Sequence, residues 1–188
     1  MAAPILTLAN QLTLLRMGLA PLLVVLVLAR QMPWALAVFL LAALTDLLDG
    51  LVARRSGQPT ALGAMLDPVA DKVLLTSSLI ALTWGPDLAV AIPAWMTVVV
   101  LSRDAIIVVS VAVINLAQGR RVFRPSLLGK LATASQVAAV GAVLLLDSAG
   151  WTFPPLRHLF RASVALTVVS ALHYVYLVST GRARSSLA

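Results

Sequence analysis

The chain has 188 residues, 61% of them hydrophobic and only 11% charged, with a mean hydropathy of +1.00. That balance excludes an ordinary soluble globule, in which about a quarter of the residues are charged. The net charge of +7 comes without a basic run or an aromatic ladder, so anionic lipid headgroups rather than nucleic acid are the expected partners; the lack of cysteine excludes disulfides and thiolate metal ligands.

Apolar stretches of about 20 residues recur, each long enough as a helix to cross a hydrocarbon core roughly 30 Å thick. They predict an all-α integral membrane protein with six transmembrane helices in a single domain, 1–188. Residues 4–15, "PILTLANQLTLL", mix apolar and polar positions ahead of Arg16. They predict either a short N-terminal interfacial helix or an extension of the first span. No charged segment precedes Arg16, so no removable signal peptide is expected. The spans fall at 10–30, 33–55, 61–83, 90–117, 127–147 and 158–179. Turn-forming or charged segments separate them: "RQMP", "RRSGQPT", "WGPD", "QGRRVFRPS" and "DSAGWTFPP".

Six spans put both termini on one side, and that side collects every Lys and Arg except Arg30, Arg157 and Arg161. The positive-inside rule assigns it to the cytoplasm, as in a bacterial-type inner membrane. Trp84, Trp95 and Trp151 fit interfacial anchors. His158 and His173, both in the last span, read as structural.

The acids are few: seven aspartates, no glutamate, and four of the seven between 46 and 71. On a helix, Asp46 and Asp49 lie about 60° apart and Asp67 and Asp71 about 40°, so each pair shares a face. Gly50, Ala53 and Gly63 flank them on the same stripes and leave a low floor for a ligand. A loop of about five residues makes the two helices antiparallel neighbours. Four carboxylates gathered in a membrane require a compensating cation. Oxygen donors without cysteine favour Mg²⁺ or Mn²⁺, and four carboxylates suffice for two ions about 3.5 to 4 Å apart, a pair suited to phosphoryl displacement. A salt-bridge network with Arg54, Arg55 and Lys72, or an ion pathway, is the alternative reading of the same acids.

The stretch "DLLDGLVARRSGQPTALGAMLDPVAD" contains D-x-x-D-G-x-x-A-R, eight residues, then G-x-x-x-D-x-x-x-D. It resembles the complete motif of the CDP-alcohol phosphotransferase family. "ANQLTLLRMGLAP" and "PSLLGKLATASQ" resemble its phosphatidylglycerophosphate synthase branch. The resemblance implies that Asp46, Asp49, Asp67 and Asp71 hold two metal ions, with Asp71 also the catalytic base. It implies a CDP site at Asp49, Gly50, Ala53, Arg54, Gly63 and Asp67, where the small residues admit the nucleoside and Arg54 meets the diphosphate. An alcohol would attack the phosphorus attached to diacylglycerol in CDP-diacylglycerol, releasing CMP, in an enzyme that family precedent makes a homodimer.

Arg103, Arg121, Arg124 and Lys130 lie near the expected cytoplasmic ends of spans four and five and are candidates for the phosphate of a phosphorylated acceptor. Loop charge for Arg121 and Arg124, and a local pair with Asp104 for Arg103, are the competing readings. Arg16 could contact substrate or snorkel. Glycerol 3-phosphate is the expected acceptor. Phosphatidylglycerol, as in a cardiolipin synthase, is the nearest alternative because "LSRDAIIV" departs from the expected glycerophosphate pattern; inositol phosphate and serine follow. A polyprenyl transferase or a cation transporter is a more distant reading.

Overall fold

The computed structural model describes residues 8–56, 61–118 and 126–179, with side chains omitted for 47–56, 61–69 and a few positions at helix ends. These residues form six helices: α1 (Leu8–Leu28), α2 (Met32–Ser56), α3 (Ala61–Trp84), α4 (Ala94–Gln118), α5 (Leu127–Ser148) and α6 (Leu156–Ser179). Among the described residues, three stretches meet the length and apolarity needed to cross a bilayer: Ala94–Val113, Leu127–Ser148 and Leu156–Tyr176. Within the described side chains, the apolar runs of α1 and α2 cover Thr13–Leu28 and Met32–Asp46.

Two compact units are built from these helices, α1, α2, α3 and the second half of α5 in one, and α4, the first half of α5 and α6 in the other. In the first, α1 packs against both α2 and α3. Its inner seam is Thr13, Arg16, Ala20, Leu23 and Val27, all buried, and their alternating three- and four-residue spacing is the period of one helical stripe. Ala35, Phe39 and Ala42 of α2 and Leu74, Leu75, Leu79 and Leu82 of α3 are buried as well. Gly141 of α5 faces Phe39, and a Cβ on it would make an ordinary contact with that ring at 3.5 Å.

Two helix ends in this unit are closed in the same way. At the end of α1, Gln31 N donates to Leu26 O (2.8 Å) and Arg30 N to Val27 O (3.0 Å), with Arg30 at φ 61°. At the end of α5, Trp151 N donates to Leu146 O (2.9 Å) and Gly150 N to Asp147 O (3.2 Å), with Gly150 at φ 66°. Each pair of bonds satisfies carbonyls that the helix leaves unpaired. The two caps coincide with a polar clamp. Asp147, whose side chain is 1% exposed, accepts from Ala89 N at 2.7 Å and pairs with Arg30 at 3.3 Å.

The second unit carries a polar seam. Leu156, Phe160, Ser163, Thr167 and Ser170 form the buried stripe of α6. Ser163 donates to Ser135 Oγ at 2.7 Å, and Gln136 Nε2 donates to Thr167 Oγ1 at 2.9 Å. Such bonds tie helices together where hydrophobic association is weak, at about 0.6 to 2 kcal/mol each. Thr167→Val keeps the shape and removes the acceptor, so thermal unfolding in detergent is expected to show a loss of about 1 kcal/mol. The outer face of α4, with Val98, Val108, Val109 and Val113 exposed, is apolar as a lipid-facing surface would be.

Of the two readings of residues 4–15, the described part, from Leu8 onward, follows the second: it is the opening of α1 itself and not a separate helix. One expectation needs correction. The fourth helix starts at Ala94 rather than 90, because Pro93 holds Ile92 out of helical geometry while its own carbonyl accepts the first helical bonds, from Met96 N (2.9 Å) and Thr97 N (3.4 Å).

Candidate active site

Of the four motif aspartates, the side chains of Asp46 and Asp71 are described. Asp49, Gly50, Ala53 and Arg54 stand on α2, and Gly63 and Asp67 on α3, with side chains outside the described set. Asp46 and Asp71 are brought together. Arg16 Nη1 lies 3.2 Å from Asp46 Oδ1 and also bonds Asp71 Oδ1, so one guanidinium from α1 joins a carboxylate on α2 to one on α3.

Burial is uneven across this triad. The Arg16 side chain is 1% exposed, whereas those of Asp46 and Asp71 are 52% and 47% exposed. The α1 seam explains the arginine: position 16 sits on the stripe that carries Ala20, Leu23 and Val27 into the core, so its side chain must enter the interior. A buried guanidinium requires carboxylate partners, and these acids supply them. Next to Asp46, the buried Thr45 hydroxyl is satisfied by Ala42 O at 2.7 Å.

Arg16, which meets both Asp46 and Asp71, was not among the three cations weighed from the sequence, Arg54, Arg55 and Lys72; the side chains of Arg54 and Arg55 lie outside the described set. Arg16 lies 55 positions from Asp71, and no local spacing connects them. Among the described residues no three acidic or histidine side chains converge as a metal cluster, and two of the four candidate ligands, Asp49 and Asp67, fall outside that set. The donor chemistry of the two described acids fits a hard divalent ion: carboxylate oxygens from two helices, gathered about a common positive centre and half open.

In the other unit, Arg103 has a side chain 12% exposed. It pairs with Asp104 at 2.8 Å and donates to Ser170 Oγ at 2.9 Å. The local ion pair foreseen for it is present, and Ser170 is a partner that the sequence did not reveal. Gly129 makes room: a Cβ there would lie 3.3 Å from Arg103 Nη2. Ser126 caps α5, its hydroxyl accepting from Gly129 N at 3.1 Å. Lys130 is exposed on the first turn of that helix. Arg121 and Arg124 lie outside the described residues.

Residues 6–176 match the CDP-alcohol phosphatidyltransferase family, and the chain belongs to it. It is 38% identical over 182 residues to a probable phosphatidylglycerophosphate synthase of Mycobacterium tuberculosis, covering 92% of this chain and 82% of that one. It is 35% identical over 184 residues to the CDP-diacylglycerol–glycerol-3-phosphate 3-phosphatidyltransferase of Bacillus subtilis, covering 89% and 92%. A cardiolipin synthase (CMP-forming) of Streptomyces coelicolor is 37% identical over 153 residues, covering 78% and 69%.

Proposed function

We propose that this chain is an integral membrane enzyme that transfers a phosphatidyl group from CDP-diacylglycerol to glycerol 3-phosphate, giving phosphatidylglycerophosphate and CMP. The observation that carries the acceptor is that the two relatives named for this chemistry align along 92% and 89% of the chain. All six helices cross the bilayer in this reading, the aspartates face the cytoplasm, and the enzyme is a homodimer within one catalytic domain.

Asp46, Asp49, Asp67 and Asp71 would hold two Mg²⁺ or Mn²⁺ ions. When bound, these neutralise the pyrophosphate and stabilise charge on the attacking and leaving oxygens. The remaining work belongs to the protein. Gly50, Ala53 and Gly63 keep the wall low where cytidine and ribose approach, and Arg54 meets the diphosphate. Asp71 takes the proton of the acceptor hydroxyl. That oxygen bonds to the phosphorus carrying diacylglycerol, and the bond from this phosphorus to the bridging oxygen breaks, so the oxygen leaves with CMP. Arg103, Arg121, Arg124 and Lys130 hold the acceptor's own phosphate, with Asp104 and Ser170 orienting the Arg103 guanidinium.

Lys130→Ala is expected to raise the KM for glycerol 3-phosphate about tenfold and to change kcat little, the pattern of lost ground-state binding. Steady-state kinetics with varied acceptor check it; an unchanged KM removes Lys130 from the site.

Purified protein given CDP-diacylglycerol and Mg²⁺ tests the function. CMP release that depends on glycerol 3-phosphate supports it. The relative from Streptomyces coelicolor favours a second reading, transfer to phosphatidylglycerol. CMP release with phosphatidylglycerol and none with glycerol 3-phosphate would establish that reading. Metal flux without CMP would overturn both.

A further inference from the structure

The buried arginine of α1 has a feature that the reaction scheme leaves unused. Arg16 is 1% exposed, lies on the apolar seam of its helix, and spans the gap between Asp46 and Asp71, which come from two other helices. An arginine buried among packed helices is costly unless its charge is answered, and here one guanidinium meets a carboxylate from each of two helices. The guanidinium thus occupies the electrostatic position that a divalent ion would take with respect to these two acids.

We propose that Arg16 is a positioning residue, a built-in counter-ion that keeps Asp46 and Asp71 together when no metal is bound. This rests on the reading of the aspartates as the metal site. Without metal, the carboxylates of α2 and α3 repel one another, and Arg16 supplies the attraction that keeps α1, α2 and α3 assembled about them. With metal bound, the ions neutralise the same charge, and the contribution of Arg16 to stability falls. By linkage the two cations oppose each other, so Mg²⁺ stabilises a protein lacking Arg16 more than it stabilises the wild type.

The test is thermal unfolding in detergent, in excess chelator and in saturating Mg²⁺, for wild type, Arg16→Gln and Arg16→Lys. Arg16→Gln is expected to unfold about 5 to 10 °C lower than wild type in chelator, the size of effect expected when a buried charge partner is removed from a chain of this length. At least half of that deficit is expected to disappear in Mg²⁺. Arg16→Lys, which keeps the charge, is expected to retain most of the wild-type behaviour in chelator. An equal deficit with and without Mg²⁺, no deficit in either, or a lysine variant as impaired as the glutamine variant would overturn the proposal.

Should Arg16→Gln not yield folded protein, the double variant Arg16→Gln/Asp46→Asn decides. Relief of carboxylate repulsion is expected to restore folded protein, and failure to do so counts against the proposal. A wild type that gains no stability from Mg²⁺, with Asp71→Asn releasing CMP normally, would instead remove the metal-site reading itself. A wild type that gains stability from Mg²⁺ while Arg16→Gln shows equal deficits would remove only the role of Arg16.

Discussion

Replacing Asp71 with asparagine is expected to abolish CMP release, by at least about a thousandfold, while leaving a folded protein. The amide is nearly isosteric but cannot accept the acceptor's proton, and it is a poor ligand for a hard cation, so two demands of the reaction fail at one position. Stability should change far less. The Asp71 side chain is half exposed, and Arg16 keeps Asp46 as a partner when Asp71 is neutral. Activity assays beside thermal unfolding check the split. Turnover within about tenfold of wild type would remove Asp71 from its role.

The second large effect is structural and lies at Asp147. This carboxylate holds the backbone of Ala89 and the side chain of Arg30, joining the segment after α3 and the end of α1 to the end of α5 within one unit. Asp147→Ala leaves Ala89 N without its acceptor and Arg30 without its partner, at a cost of about 3 kcal/mol. With a chain of this size the apparent unfolding temperature should drop by roughly 6 to 12 °C. Asp147→Asn retains an oxygen for Ala89 N and is expected to lose about half as much. A drop below 2 °C for the alanine variant would show that the clamp contributes little.

The helices were legible because their signal is local. Apolar runs of about 20 residues, broken by Pro, Gly and charge, give limits within a few residues of those found for α1, α2, α3, α5 and α6. The start of α4 was missed because the stretch before Pro93 is apolar without being helical, and hydropathy alone cannot separate the two. The aspartate motif was equally local, four acids at helical spacing flanked by small residues, and its two described acids, Asp46 and Asp71, do come together about one cation, Arg16.

What stayed illegible is long-range. Arg16 reaches Asp71 across 55 positions, and Arg30 reaches Asp147 across 117. Spacing along one helix says nothing of such partners, which follow from which stripes the packed helices turn inward. The α1 stripe could have given a hint: an arginine in step with Leu23 and Val27 on a buried face needs an acid opposite, and in this chain the acids are few. Ser170, the partner of Arg103, left no such signal, since serines on apolar helices are common and neutral.

Whether the aspartates of α2 and α3 hold divalent ions can be read from Mn²⁺ binding followed by electron paramagnetic resonance. Titration of the purified wild-type chain is expected to show two bound ions per chain that Mg²⁺ displaces, and Asp46→Asn or Asp71→Asn is expected to abolish or sharply weaken at least one of them. Wild-type binding that neither substitution alters would mean that Asp46 and Asp71 do not hold the ions.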